Sequence, residues 1–475
     1  MSEAGGICIS GTVYDQVKNK IKLPLEFIGA RQVKNIAEPI RTYKVHLAHD
    51  AGVDRDSWRQ EPSIVQMDQG QATLAGDTGL QLPDKPSVAI MPLVNMGNGG
   101  DQDYFSDGLT EDIITDLSKI SGIFVIAKNS SFAYKGRSIL PPQVSQELGV
   151  RHILEGSVRR AGQRVRIATQ LVDGPRNQNI WADRFDGNLE DIFDLQDQVT
   201  GKVVSALKVK LTSKEKKQRT NRGSVNPEVY DLVKKADKLG LVSTFESHLE
   251  ARGMYDQAIN LDPGYAPAYV GMGWTWFDEW PFGWSEDRVV LEKALSFSQK
   301  AADLDPSLPA ARLLMACTYV WMREYDKAED VIKQLFDIAP NSADAHAFHG
   351  YVLGFSGRPK EAVEPILQAK RMDPGRPVRF SMYLANVYLM LERYEDAVAE
   401  LEPYADEFGS YFPLQRTLAG AYAQTGNTEK ARQISARVMA AEPGFRSEAF
   451  GRKLPIKDPA VQKRFIAGLQ KAGFP

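Results

Sequence analysis

The chain has little cysteine, no long apolar run and almost no net charge, and each shortage removes a class of protein. Among its 475 residues there are two cysteines, Cys8 and Cys317, in segments with no sign of pairing. A disulfide framework is excluded, and a reduced intracellular setting is expected. No apolar run approaches the roughly 18 residues that a membrane span requires. The opening MSEAGGICIS has neither the basic start nor the apolar core of a signal peptide, so the chain reads as cytoplasmic. Lys and Arg number 58 against 61 Asp and Glu, a net charge of −3, which gives no global pull toward nucleic acid or an anionic membrane.

What is present is ordinary globular composition, 43% hydrophobic and 25% charged, in a chain long enough for about three domains. The clearest order lies in its second half. Prolines recur at Pro263, Pro306, Pro340, Pro374 and Pro443; two of the intervals are 34 residues and the last is 69, two repeats with one proline missing. Small residues fall at two fixed sites, Gly273, Ala316, Gly350, Ala385 and Ala419 at one, and Ala251, Ala294, Ala328, Ala362, Ala397 and Ala431 at the other. An aromatic follows the first site by three residues at Trp276, Tyr319, Tyr388 and Tyr422, with Leu353 the exception. A period of 34 with this pattern resembles the tetratricopeptide family. Each unit is a helix pair whose small residues permit close crossing, and stacked pairs form an α-α superhelix with a concave groove for a protein or peptide. The solenoid is expected over 226–475, with a polar terminal cap after Pro443.

From Lys85 the pattern changes to strand–helix alternation. Ser87 to Leu93 and Ile123 to Ala127 read as buried strands, a helix carries Leu109, Ile113, Ile114, Leu117 and Ile120, and Gln143 to Leu148 forms a short one. His152 to Asp183 alternates as a meander turning at Ala161-Gly162, and a last helix runs from about Leu189 to Leu211. This is an α/β domain over 85–212. Its strings KPSVAIMPLVNM, DYFSDGLTEDIITDLSKI, LGVRHILEGSVRRAG and NIWADRFD resemble the TolB-like domain, a family that brings no catalytic residues.

Residues 5–45 are similar to the closing stretch of class III nucleotide cyclase domains, through GGICISGTVYDQV and VKNIAEPIRTYKV. The resemblance places Lys34 near a nucleotide triphosphate. The family's metal-binding aspartate pair and its catalytic asparagine and arginine lie upstream of the matching strings and have no counterpart here. A single lysine does not neutralise a phosphoryl-transfer transition state, so no catalytic residue is assigned and no cyclase activity is expected from this chain alone. No cofactor is expected in this chain; a complete parent would use magnesium or manganese, and would be a homodimer. The resulting organisation is multidomain: a cyclase-tail remnant over 1–47, a flexible linker over 48–84, the α/β domain, a basic linker over 213–225 and the all-α solenoid.

Other signals have duller readings. The stretch NMGNGGDQDYFSDG lacks a phosphate-loop ending and reads as a connection. Arg159, Arg160, Arg164 and Arg166 read as charge on a solvated sheet edge. The basic run Lys202 to Arg222 reads as a linker, and His346 with His349 as repeat packing rather than a metal site. The stretch 274–284, WTWFDEWPFGW, holds four of the seven tryptophans and falls where one repeat is nine residues too long. Repeat packing accounts for Trp276 but not for Trp280, Phe282 and Trp284. Those three either fold back onto the superhelix or anchor a partner. Two functions therefore stand: the regulatory, protein-binding portion of a cyclase-type signalling protein, or a non-enzymatic adaptor. A transcription regulator is disfavoured, since no helix-turn-helix segment precedes the middle domain.

Overall fold

Alternation at period two splits strand β4 (Ser87–Ile90) between two cores: Val88 and Ile90 face one, Ala89 the other. The computed structural model describes residues 7–10, 25–31, 40–45, 80–97, 103–137, 139–213, 215–216, 225–240, 244–375, 378–409 and 411–475. Residues 1–76 and 77–475 are separate units. In the first, β1 (Ile7–Ser10), β2 (Leu25–Arg31) and β3 (Ile40–Val45) form an antiparallel sheet in the order β1-β3-β2. Ile7 and Leu25 both pair with Val45, and a bulge interrupts β2 between Phe27 and Gly29. Lys34 and the expected linker up to residue 79 lie outside the described residues.

The second unit begins with a mixed α/β sheet. Strands β5 (Val94–Asn95), β6 (Phe124–Val125), β7 (His152–Ala161), β8 (Arg164–Asp173) and β9 (Gln178–Asn188) join β4 in the order β6-β4-β7-β8-β9, with β5 also on β7. β4 is parallel to β6 and β7, and β7 to β9 make the antiparallel meander. Gly162 takes the left-handed conformation at its first turn. The expected strand to Leu93 ends at Ile90, where Pro92 lies ahead, and the chain resumes pairing as β5. Helices α1 (Asp103–Ser118) and α4 (Ile192–Ala206) cover one face; α2 (Lys128–Phe132) and α3 (Pro141–Leu148) lie toward the other. α4 stops five residues short of the expected Leu211, because Lys208 adopts a positive φ of 55°.

Among the described residues six helix pairs follow: α5 (Pro227–Gly240) with α6 (Phe245–Leu261), α7 (Ala266–Phe277) with α8 (Val289–Leu304), and α9 (Pro309–Trp321) with α10 (Tyr325–Ile338). Then come α11 (Ala343–Phe355) with α12 (Pro359–Met372), α13 (Val378–Met390) with α14 (Tyr394–Leu401), and α15 (Phe412–Gln424) with α16 (Thr428–Ala441). The small repeat residues are the crossing points. All six alanines of the second site are fully buried, and a β-carbon at Gly350 would stand 2.4 Å from Ile366 and 2.7 Å from the Ala362 carbonyl. The repeat aromatics lie under cations: Trp276 between Arg252 and Lys293 at 3.6 and 3.7 Å, Tyr388 under Arg393 at 4.3 Å.

The sheet core continues into the first helix pair without a break, with Phe105 edge-on to Tyr230 at 5.9 Å. Asp112 of α1 accepts from Lys234 (2.8 Å), Tyr230 (3.1 Å) and Gln196 (2.9 Å). Arg160, expected on a solvated edge, instead grips Asp231 of α5 with two bonds of 2.5 and 2.7 Å and is 14% exposed. Within the basic stretch, the lone acid Glu215 accepts from the Ser121 amide and hydroxyl.

The segment after Pro443 is more than a polar cap. Helices α17 (Ser447–Lys453) and α18 (Pro459–Lys471) bury Ile456, Leu469, Ala472 and Phe474.

Candidate functional site

The first helix of each pair faces the inside of the array, and the rings there follow from the sequence of those helices. Tyr351 of α11 packs on Phe355 at 4.7 Å and on Tyr383 of α13 at 4.8 Å, and Phe348 meets Tyr383 edge-on at 5.7 Å. Trp274 and Trp321 are half-buried beside the same apolar cluster, which includes Cys317, Tyr351 and Phe355. Tyr351, Phe348 and Phe355 are buried in this cluster, while Trp274, Trp321 and Tyr383 stay half-buried along the first helices, the inner channel of the array.

Polar groups converge between them. Arg379 and Asp344, each the second residue of its helix, form an ion pair whose side chains remain 46% and 42% exposed. Asp278, just past α7, interacts electrostatically with Arg379, and Tyr411, ahead of α15, with both. The turn of the superhelix thus brings together residues more than a hundred positions apart in sequence. Asp278 lies 2.9 Å from His248 Nε2, whose Nδ1 is 2.9 Å from the Thr244 carbonyl. Burial holds the Asp278 carboxyl above the usual carboxylate range, with His248 opposing. Burial likewise pushes the Cys317 thiol up, which removes it as a nucleophile. The arrangement suits binding: aromatic walls for side chains or peptide planes, and an arginine reachable by a carboxylate or carbonyl.

The structure splits the aromatic insertion between the start of α6 and the array's apolar cluster. Phe282 stacks on Trp284 at 4.9 Å, and Trp284 stands edge-on to Phe245 and His248 at 5.7 and 5.1 Å. Trp280 packs beside the array's apolar cluster with Lys453 5.3 Å over its ring, and its buried indole nitrogen has no hydrogen-bond acceptor. All three rings are half-buried against their own chain. His346 and His349 both meet the edge of Phe336, at 5.0 and 5.5 Å. Among the described residues no cluster of three or more His, Cys, Asp or Glu is placed to hold a metal. No described helix is long and apolar enough to cross a membrane. The Asp344–Arg379 pair escaped sequence reasoning. The signal was there, as opposite charges at the same helix position of adjacent repeats.

Comparison with known proteins agrees with the helical part. Residues 291–350 match the family model for the tetratricopeptide repeat. The chain is 41% identical over 333 residues to putative adenylate cyclase 3 of Rhizobium meliloti (strain 1021), covering 69% of this chain and 53% of that protein. It thus spans about half the length of that curated relative. It is 25% identical over 127 residues to the transcriptional regulator HilA of Salmonella typhimurium (strain LT2), 27% of this chain and 23% of the regulator. Among solved structures it resembles a thermophilic tetratricopeptide protein of Thermus thermophilus (17% identity, 41% of this chain, 98% of that one, TM-score 0.35). It also resembles the human IFIT1 dimer with m7Gppp-AAAA (13% identity, 59% and 64% coverage, TM-score 0.42). A tetratricopeptide-like helical solenoid in the C-terminal part and an α/β region with a mixed sheet before it are therefore the architecture of this chain.

Proposed function

We propose that this chain is the regulatory, polypeptide-binding portion of a class III adenylate cyclase-type signalling protein, acting in the cytoplasm. The observation that carries the reading is its identity to a putative adenylate cyclase over 333 residues, more than the helical array alone can account for. Residues 5–45 add the resemblance to a cyclase tail, with Lys34 as a vestigial nucleotide contact, and the middle domain resembles the TolB-like family. In this reading the reaction, ATP to cyclic AMP and pyrophosphate, belongs to a complete parent. The array supplies control by binding a polypeptide in its inner channel. Half-buried rings at Trp274, Trp321 and Tyr383 hold apolar side chains, and the bound chain's carboxylates or carbonyls compete with Asp344 for Arg379.

The purified chain with ATP or GTP and either metal is expected to form no cyclic nucleotide. Turnover above a no-enzyme control, lost on Lys34→Ala, would overturn the division of labour. A non-enzymatic adaptor is the second reading, supported by the tetratricopeptide match over residues 291–350. The reading frame upstream of Met1 separates the two. An in-frame metal-binding aspartate pair and asparagine–arginine helix favour the cyclase, and a nearby stop codon favours the adaptor.

A further inference from the structure

The turn from the first to the second helix of a pair places one residue at positive φ. Glycine occupies it at Gly357 (92°) and Gly426 (84°), but the equivalent residues of two other pairs are Arg323 (64°) and Glu392 (61°). A side chain in that conformation costs roughly 1 kcal/mol, and such residues persist where the side chain has a use. Here both reach the same feature, the segment that returns along this edge after the last repeat. Glu392 pairs with Arg464 at 3.4 Å. Arg323 donates to three main-chain carbonyls, those of Arg452 (3.0 Å), Leu454 (2.8 Å) and Ile456 (3.0 Å). The Tyr325 hydroxyl donates to the Pro455 carbonyl at 3.0 Å, and the Lys457 amide to the Phe355 carbonyl at 3.0 Å.

The segment between α17 and α18 is therefore held by its backbone as well as its side chains, as an extended ligand is. Its side chains add the apolar run Leu454-Pro455-Ile456, half-buried at Leu454 and buried at the other two, and two cations. Ile456, 4% exposed, enters the cluster of Val320, Phe355 and Met390. Lys453 sits over Trp280 and within 3.7 Å of Glu286, and Lys457 lies 5.3 Å over Tyr325. This accounts for Trp280, one of the three aromatics that repeat packing left over.

We infer that this edge is a docking slot for an extended peptide with a short apolar run flanked by basic residues. Lys453–Lys457 is its resident occupant, and a partner's segment of the same chemistry replaces it. The slot is distinct from the inner channel. Carbonyls are common to every polypeptide, so the grip of Arg323 and Tyr325 does not depend on sequence, and selectivity rests on the Ile456 hole and the two rings. Covalent tethering gives the resident segment an effective concentration on the order of millimolar, so a free peptide competes poorly until the segment is released.

The probe is a fluorescein-labelled peptide of residues 452–458, RKLPIKD, titrated into the full chain and its Ile456→Glu variant and read by anisotropy. The variant is expected to bind at least tenfold more tightly than the unmodified chain. Adding Arg323→Ala should remove at least tenfold of that affinity, and a peptide with glutamate in place of isoleucine should not bind. Arg379→Glu, in the channel, should leave peptide affinity unchanged. Equal or absent binding by the folded Ile456→Glu chain, indifference to Arg323→Ala, or loss on Arg379→Glu would each overturn the inference. Hydrogen exchange on the unmodified chain decides the case even where Ile456→Glu fails to fold. The Lys457 amide should exchange at least a hundredfold faster than mid-helix amides of α10 and α11. An equal rate would make the segment a permanent part of the core and end the proposal.

Discussion

The two edges of the helical array are held by different chemistry. Where second helices hand over to first, the sheet domain supplies specific side chains and backbone in matched pairs. Asp373, fully buried, accepts from Asn129 (2.8 Å) and from the amide and hydroxyl of Ser130 (2.8 and 2.5 Å). Asn341 donates from its amide to the Ser118 carbonyl and from its side chain to that of Ile120, and Arg371 reaches the carbonyls of Gln81 and Gly149. On the opposite edge α17 and α18 pack through apolar side chains, and the polar grip on the stretch between them goes to its main chain. Buried side-chain pairs fix one partner in one register, because each unmatched donor or acceptor would cost about 1–3 kcal/mol. A main-chain grip tolerates exchange of sequence. The sheet domain is thus a fixed part of the array, and the other edge is where change is affordable.

The largest effect should come from breaking the fixed side. Asp112→Ala leaves Lys234, Tyr230 and Gln196 without their common acceptor, at a cost of about 3 kcal/mol in denaturant unfolding. Sheet domain and array should still unfold in one transition. Two separated transitions would show that the shared core does not couple them. Next is Trp280→Ala with Trp284→Ala. Rings only half-buried on their own chain should cost about 2–3 kcal/mol together, less than fully buried ones. An unchanged melt would return these residues to the role of partner anchors.

The smallest effect is set by pH. Burial next to His349 pushes His346 down to about 4, opposed by its bond to the Pro340 carbonyl. Its folded value lies below the unfolded one near 6.5, so its contribution is complete above that pH and is lost as pH falls from about 6.5 to 4. The full shift would be worth about 3 kcal/mol, and solvent reaching the half-buried ring reduces the loss to about 2 kcal/mol, which should vanish in His346→Phe. A pH profile indifferent to that substitution would contradict the assignment.

Repeat period, small residues and strand alternation made the helical array and the meander legible in sequence, because each is a local pattern with a fixed spacing. The inner faces of Val165, Ile167 and Leu171 opposite exposed Arg164 and Arg166 follow alternation directly. What sequence did not disclose is long-range. Arg160 carries the same hairpin charge as its neighbours, and only the arrival of α5 turns it into a clasp on Asp231. The channel's Asp278, Arg379 and Tyr411 belong to different repeats, and superhelical curvature alone brings them together. Arg323 and Glu392 stand where two other turns have glycine, and their meaning depends on a segment some seventy or more residues downstream.

The most direct test of the central claim, that the inner channel is a polypeptide site, is selection of binders from a random peptide library on the full chain. The selected peptides would be mapped by hydrogen-exchange protection. The account predicts protection along the first helices α7, α9, α11 and α13, abolished by Arg379→Glu with Tyr383→Ala while the melt stays within a few degrees. Peptides that protect only surfaces outside those helices, or that bind the double variant equally well, would contradict it.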